Sequence, residues 1–158
     1  MNPVEHYLQS YDITYTRHDH PAVFTCEQAE QFHKLVPGMT GKNLFLIDKK
    51  SGRIFLFVLS ALKKADLKLL TKLFGVTKLS FGSPELLMQK MWLIPWSVSP
   101  FGLINNADED IELYIDSEIY NADIVNFHPN INTASLGLTR EMFHKYLDSI
   151  PHEVHVVR

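Results

Sequence analysis

One cysteine, Cys26, is all the thiol chemistry this 158-residue chain holds. A single thiol closes no internal disulfide, which fits a reducing compartment. No run of 18 apolar residues occurs, so no membrane-spanning helix is expected. The segment Met1 to His6 has no basic stretch followed by an apolar one, so no secretory leader is expected and the expected location is cytoplasmic. Positive charge is scarce too: 15 Lys and Arg stand against 18 Asp and Glu, a net charge of −3. That disfavours a protein that grips long nucleic acid by phosphate neutralisation alone, but not one that touches a single-stranded end. The motifs GxSxG, GxGxxG and HExxH are absent, so the common serine-hydrolase, dinucleotide and zinc-protease signatures are missing. No repeat, low-complexity tract or long linker breaks the chain, so residues 1–158 read as one domain.

What is present is an ordinary globular balance, 46% hydrophobic and 21% charged, with enough length to bury a substantial core. Asn2-Pro3 opens a short helix. Ile13 to Arg17 is β-branched and aromatic and reads as a strand. Thr25 with Gln28 forms a capping box for a helix through about Leu35, ended by Pro37-Gly38. Strands at Asn43–Asp48 and Arg53–Leu59 flank the turn Lys49-Lys50-Ser51-Gly52. Asp66 caps a helix ending near Gly75. Ser83-Pro84 starts another to about Met91. A loop over Ser97–Asn105 leads to short strands at Glu112–Asp116, Ile124–Phe127 and Thr133–Leu136. A helix from Thr139 to about Ser149 and a strand at Glu153–Val157 complete the chain. Elements joined partly by hairpins and partly through helices predict an α+β fold, with a mixed, mainly antiparallel central sheet flanked by helices.

Three stretches could carry chemistry. In Pro37-Gly38-Met39-Thr40-Gly41-Lys42-Asn43, Gly41 allows unusual backbone angles and Lys42 stands at the mouth of a sheet. Two residues separate the glycines where a P-loop needs four, and Asn43 replaces its Ser/Thr. The plain alternative is a turn with a solvated lysine. In Pro95-Trp96-Ser97-Val98-Ser99-Pro100-Phe101-Gly102, two prolines and a glycine fix the chain path. Its backbone N–H groups could stabilise an ester oxyanion, or the loop is only a turn. In Phe127-His128-Pro129-Asn130-Ile131-Asn132-Thr133, Pro129 holds His128 extended. One imidazole and two amides could bond ribose hydroxyls or an α-amino group, or they are turn residues with a satisfied histidine. His18-Asp19-His20 lacks a third metal ligand. In His152-Glu153-Val154-His155 the two histidines face opposite sides of a strand, so neither segment reads as a metal site. Cys26 at a helix start reads as structural.

Taken in order, His20-Pro21-Ala22-Val23-Phe24-Thr25, Gly41 to Leu46, Ser97 to Leu103 and Phe127 to Ala134 resemble the YbaK/ProX-type editing domains associated with prolyl-tRNA synthetase. More narrowly, the chain is similar to free-standing alanyl-tRNA(Pro) editing proteins, over roughly Val4 to Val157. The resemblance implies an aminoacyl-tRNA deacylase acting in trans on mischarged tRNA(Pro), usually Ala-tRNA(Pro). A synthetase pocket cannot strongly exclude a smaller side chain, so a second sieve restores fidelity. By this resemblance Lys42 and Asn43 hold the acceptor 3′ end and the aminoacyl group. Ser97, Val98, Ser99, Pro100, Phe101 and Gly102 offer backbone groups to the ester. His128 positions the terminal adenosine or the substrate, with Asn130, Asn132 and Thr133 beside it. Ala22, Val23 and Phe24 form part of a small side-chain pocket. Water attacks with help from the substrate's own ribose hydroxyl, and neither metal nor cofactor is needed. The implied partners are tRNA and prolyl-tRNA synthetase, not a membrane. With a net charge of −3, tRNA selection is expected to rest on a local basic patch or on the synthetase.

The chain departs from the family pattern at two glycines. Trp96 stands before Ser-Val-Ser-Pro, and Trp92 stands four residues earlier. Glycine permits backbone angles and ligand approach that tryptophan does not, so altered substrate choice or activity is expected. The competing expectation is a catalytically impaired module of the same fold that holds tRNA or a synthetase, with the tryptophans as stacking or interface groups.

Overall fold

A computed structural model describes residues 2–20, 37–131 and 133–158, with Trp96 described in its backbone alone. The expected helix from Thr25, Cys26, the Ala22-Val23-Phe24 segment and Asn132 lie outside the described residues.

Helix α1 (Pro3–Ser10) starts where the Asn2 side chain accepts the Glu5 N–H at 3.0 Å. Strand β1 (Thr16–Asp19) follows, and after the undescribed segment comes β2 (Met39–Asp48), which turns into β3 (Ile54–Ser60). Asp66 caps α2 (Leu67–Phe74), and Gly75 in the left-handed region ends it. The short β4 (Leu79–Phe81) precedes α3 (Pro84–Met91), capped by Ser83. Two 3-10 turns, Pro95–Ser97 and Pro100–Asn105, lead to β5 (Ile111–Asp116). The rest is α4 (Ser117–Tyr120), β6 (Ile124–Phe127), β7 (Ala134–Thr139), α5 (Arg140–Ser149) and β8 (Val154–Val157).

The strands form one mixed sheet in the order β1-β7-β6-β2-β3-β5-β8, with β4 on a second site along β2. The expected α+β architecture is therefore present. The pairs β1/β7, β7/β6, β2/β3 and β2/β4 are antiparallel, while β6/β2, β3/β5 and β5/β8 are parallel.

Every residue of β3 is buried, because both faces of the sheet are covered there. Ile54, Leu56 and Val58 face the larger core with residues of α1, α3 and α5. Phe55, Phe57 and Leu59 face a smaller core closed by Leu70 and Phe74 of α2. This alternation is the period-two geometry of a strand.

The outer edge of β2 changes partners. Met39 and Thr40 lie beside Val125 and Asn126 of β6, whereas Leu46 to Asp48 lie beside β4. Between these two pairings the described residues leave that edge of β2 open from Gly41 to Leu44, since the Phe45 carbonyl already accepts the Gly82 N–H at 2.9 Å. A sheet that splits in this way offers a crevice, where open α/β sheets commonly receive ligands.

Candidate active site

Lys42 and Asn43 sit in the open stretch of β2. As neighbours in a strand they point to opposite faces. Asn43 is on the side of the larger core, where its Nδ2 donates to the Val98 carbonyl at 3.1 Å. That carbonyl demands an N–H, which fixes the amide orientation. The Asn43 Oδ1 is consequently left buried with no hydrogen-bond partner among the described residues. A buried acceptor in that state is costly unless something donates to it. Lys42 is on the other side, and its Nζ donates to the Lys63 carbonyl at 3.1 Å.

Gly41 lies against the Phe127 ring at the end of β6. A Cβ there would lie 2.1 Å from Cε1 of Phe127. Phe127 in turn meets Phe101 edge-on, with ring centroids 6.1 Å apart. The loop after α3 is thereby keyed to the open stretch of β2 from behind.

That loop is held by its own groups. The Ser99 Oγ accepts the Phe101 N–H at 3.0 Å, and the Ser99 carbonyl accepts the Gly102 N–H at 3.0 Å. The Ser97 N–H donates to the Ile94 carbonyl at 3.0 Å. The buried Tyr146 hydroxyl donates to the Pro100 carbonyl at 2.6 Å, and burial holds that phenol well above its ordinary pKa. Ser97, Ser99, Pro100, Phe101 and Gly102 are all buried, whereas Val98 is partly exposed. With three of the loop's amides engaged internally, the groups it can present are those around Val98 and Ser99. The Trp96 side chain lies outside the described set.

His128 follows β6 directly. Its Nδ1 meets the Ala134 carbonyl at 2.9 Å; since a carbonyl only accepts, the proton is on Nδ1 and Nε2 carries the lone pair. Burial is the main cause pushing this imidazole below its ordinary pKa; the Ala134 bond opposes the shift and neighbouring His20 adds to it. His20 lies edge-on to His128 at 5.8 Å, and its Nε2 is 3.1 Å from the Ser135 Oγ. Among the described residues, no His, Cys, Asp and Glu side chains gather in a group of three that could hold a metal.

The turn after His128 is also fixed. Asn130 is left-handed at φ 62°, and its Oδ1 is buried without a partner among the described residues. The Pro129 carbonyl accepts from Asn2 Nδ2 at 2.8 Å. Thr133 is exposed, and its carbonyl accepts the His20 N–H at 2.9 Å.

The fold thus brings the Lys42-Asn43, Val98 and His128 segments to one break in the sheet. It does not join Lys42, Asn43 and His128 by direct hydrogen bonds among the described residues. Sequence reasoning passed over Ser135 and Asn126. Asn126 is buried, ties the Pro37 carbonyl by its Nδ2 at 2.7 Å, and leaves its Oδ1 unpartnered among the described residues. Strand alternation alone could have placed Asn126 opposite Phe127, but only the pairing with β2 and β7 shows what it faces.

Comparison with known proteins gives a consistent answer. The family described as "Aminoacyl-tRNA editing domain" matches residues 20–146. The chain is 36% identical over 138 residues to the prolyl-tRNA editing protein ProX of Acetoanaerobium sticklandii, covering 87% of this chain and 84% of that one. It is 28% identical over 151 residues to the prolyl-tRNA synthetase associated domain-containing protein 1 of Danio rerio, covering 94% and 82%. Among solved structures, the hypothetical protein APE2540 superposes with a TM-score of 0.76 at 15% identity, covering 99% of each chain. A candidate trans-editing enzyme for prolyl tRNA synthetase superposes with a TM-score of 0.70 at 19% identity, covering 100% of this chain and 98% of that one.

Proposed function

The chain belongs to the aminoacyl-tRNA editing domain family, and from that premise we propose that it is a deacylase acting in trans on mischarged tRNA(Pro), with Ala-tRNA(Pro) as its main substrate. The relative named as a prolyl-tRNA editing protein supports this reading. The observation that carries it is the Asn43 carboxamide. One end is tied to the Val98 carbonyl, and the other is a buried acceptor awaiting a donor. A ribose hydroxyl or the α-amino group of an aminoacyl ester would supply that donor.

In this reading the chemistry is positioning. An ester is already reactive, and fixing the attacking oxygen near its carbonyl removes much of the barrier. Asn43 orients the acyl end. The amides around Val98 and Ser99 meet the developing oxyanion. His128, neutral and with its Nε2 lone pair available, accepts a proton from the terminal ribose or from water on its way to the ester. Water forms the new C–O bond, and the tRNA 3′ oxygen leaves and takes up a proton. Lys42, on the opposite face of β2, meets the phosphate of the acceptor end rather than the ester.

The test is a deacylation screen on tRNAs charged with alanine, serine, cysteine and proline. Ala-tRNA(Pro) should turn over fastest. Asn43→Ala should lower kcat/KM by about 10- to 100-fold, the worth of one buried hydrogen bond. Absence of turnover on every small aminoacyl-tRNA at high enzyme concentration would refute the assignment. Retention of tRNA without hydrolysis would point instead to the binding module.

A further inference from the structure

Charge along this chain is strongly uneven. Between Lys42 and Lys78 stand nine of its 15 basic residues and two of its 18 carboxylates, Asp48 and Asp66. A net charge of −3 for the whole chain therefore conceals a cationic stretch over residues 42–78. The fold keeps that stretch together. It comprises the β2–β3 hairpin and α2, which lies over the smaller core.

Lys63 does not contribute free charge, because Asp116 and Glu118 hold its ammonium at 2.7 and 2.9 Å. Arg53 is likewise taken up by Glu112 at 2.7 Å. Six others, Lys49, Lys50, Lys64, Lys68, Lys72 and Lys78, are exposed. None of the six has an ion-pair partner among the described residues. Unneutralised lysines this close together repel one another unless a polyanion is present.

Their order in space is a strip. Lys64 lies just beyond the end of β3, beside Lys63, whose carbonyl takes the Lys42 ammonium. Lys68 and Lys72 are four apart on α2, so they share a face. Lys78 lies beside Lys49, whose N–H donates to the Lys78 carbonyl at 3.0 Å, and Lys50 follows in the hairpin turn. The strip runs the length of the hairpin, roughly 20 Å for a seven-residue strand. One end adjoins Lys42 at the open stretch of β2.

We propose that this lysine strip is the surface that carries the double-stranded acceptor stem of the tRNA, binding its phosphates while the 3′ end enters the break in the sheet. The inference rests on the deacylase reading above for the direction in which the RNA lies. Two features favour RNA over an acidic protein: the spread of single charges along a line, and continuity with Lys42. Exposed Leu62, Leu69 and Leu73 on the same layer are what a protein partner would use instead.

The decisive measurement is fluorescence anisotropy of uncharged tRNA and of a short RNA duplex across 50–200 mM KCl. It compares the full chain with two triple variants, Lys64→Gln/Lys68→Gln/Lys72→Gln and Leu62→Ser/Leu69→Ser/Leu73→Ser. Each phosphate contact contributes about 0.7–0.9 to the slope of log K against log salt. The lysine variant should lose about 2 from that slope and at least about tenfold in affinity at 0.1 M salt, with an unchanged melting temperature. In deacylation its KM should rise while kcat stays. The leucine variant should bind RNA as the parent does. An unchanged slope and KM in the lysine variant would overturn the strip while leaving the deacylase intact. Loss of RNA binding in the leucine variant alone would overturn it in favour of a protein-facing surface, and no RNA binding by the parent would overturn it outright. Salt-sensitive RNA binding with no hydrolysis would sustain the strip and sink the deacylase.

Discussion

Gly41 has no side chain because Phe127 occupies the space one would fill. An added Cβ would be 2.1 Å from the ring, well inside any tolerated contact. The ring cannot retreat freely, since it packs against Phe101 and Phe143. Gly41→Ala should therefore cost about 1–3 kcal/mol, the usual penalty of overpacking, read as a lower urea midpoint. Activity should fall further than stability, because Lys42 and Asn43 are the next two residues. A midpoint equal to that of the parent would show that β2 and β6 are less tightly keyed than the geometry indicates. At this scale the sequence marked candidate residues and was silent about how they face. The Lys-Asn pair stood out by its motif, yet the partner of Asn43 lies 55 positions away at Val98. No local pattern predicts that contact.

Elements were legible where their ends are local. Asn2, Asp66, Ser83 and Thr139 all cap helices as their spacing implied. Elements set by distant pairing were displaced. The first strand was expected over Ile13–Arg17 but forms at Thr16–Asp19, because its register with β7 begins at Thr16 opposite Gly137. β2 starts at Met39 rather than Asn43, because β6 pairs with its first residues. β4 and α4 were missed, being three and four residues long, too short for any periodicity. The loop after α3 contains two 3-10 turns. Trp92 makes the end of α3 instructive. It is the C-cap, left-handed at φ 58° and ψ 38°, and 66% exposed. A side chain there costs about 1–2 kcal/mol that glycine avoids. Trp92→Gly should raise stability by about 1 kcal/mol, seen as a higher melting temperature. A fall instead would show that the indole packs against something that outweighs the backbone strain.

For the whole molecule, acid should be the weak side. His128 and His152 are both pushed below the ordinary histidine value of 6.5, each chiefly by burial. The His152 Nε2 donates to Asn106 Oδ1 at 2.9 Å, and its Nδ1 is buried without a partner among the described residues. A proton added there finds no acceptor. The unfolded chain binds protons from about pH 6.5 downward while the folded chain resists them. The stability these groups contribute is full above about pH 6.5 and is lost as pH falls through their folded values. Melting temperature should hold between pH 8 and 7 and decline between 6.5 and 5, and His152→Gln should flatten part of that decline. A flat profile over the same range would mean the imidazoles are not kept neutral.

The pairing of β1 with β7 also has a consequence in time. Thr16 rests against Gly137, so among the described strands the first finds its partner only once residue 137 has been made. Contacts so distant along the chain close slowly. On the ribosome, the hairpin of β2 and β3 can form early, whereas the histidine side of the cleft is assembled later.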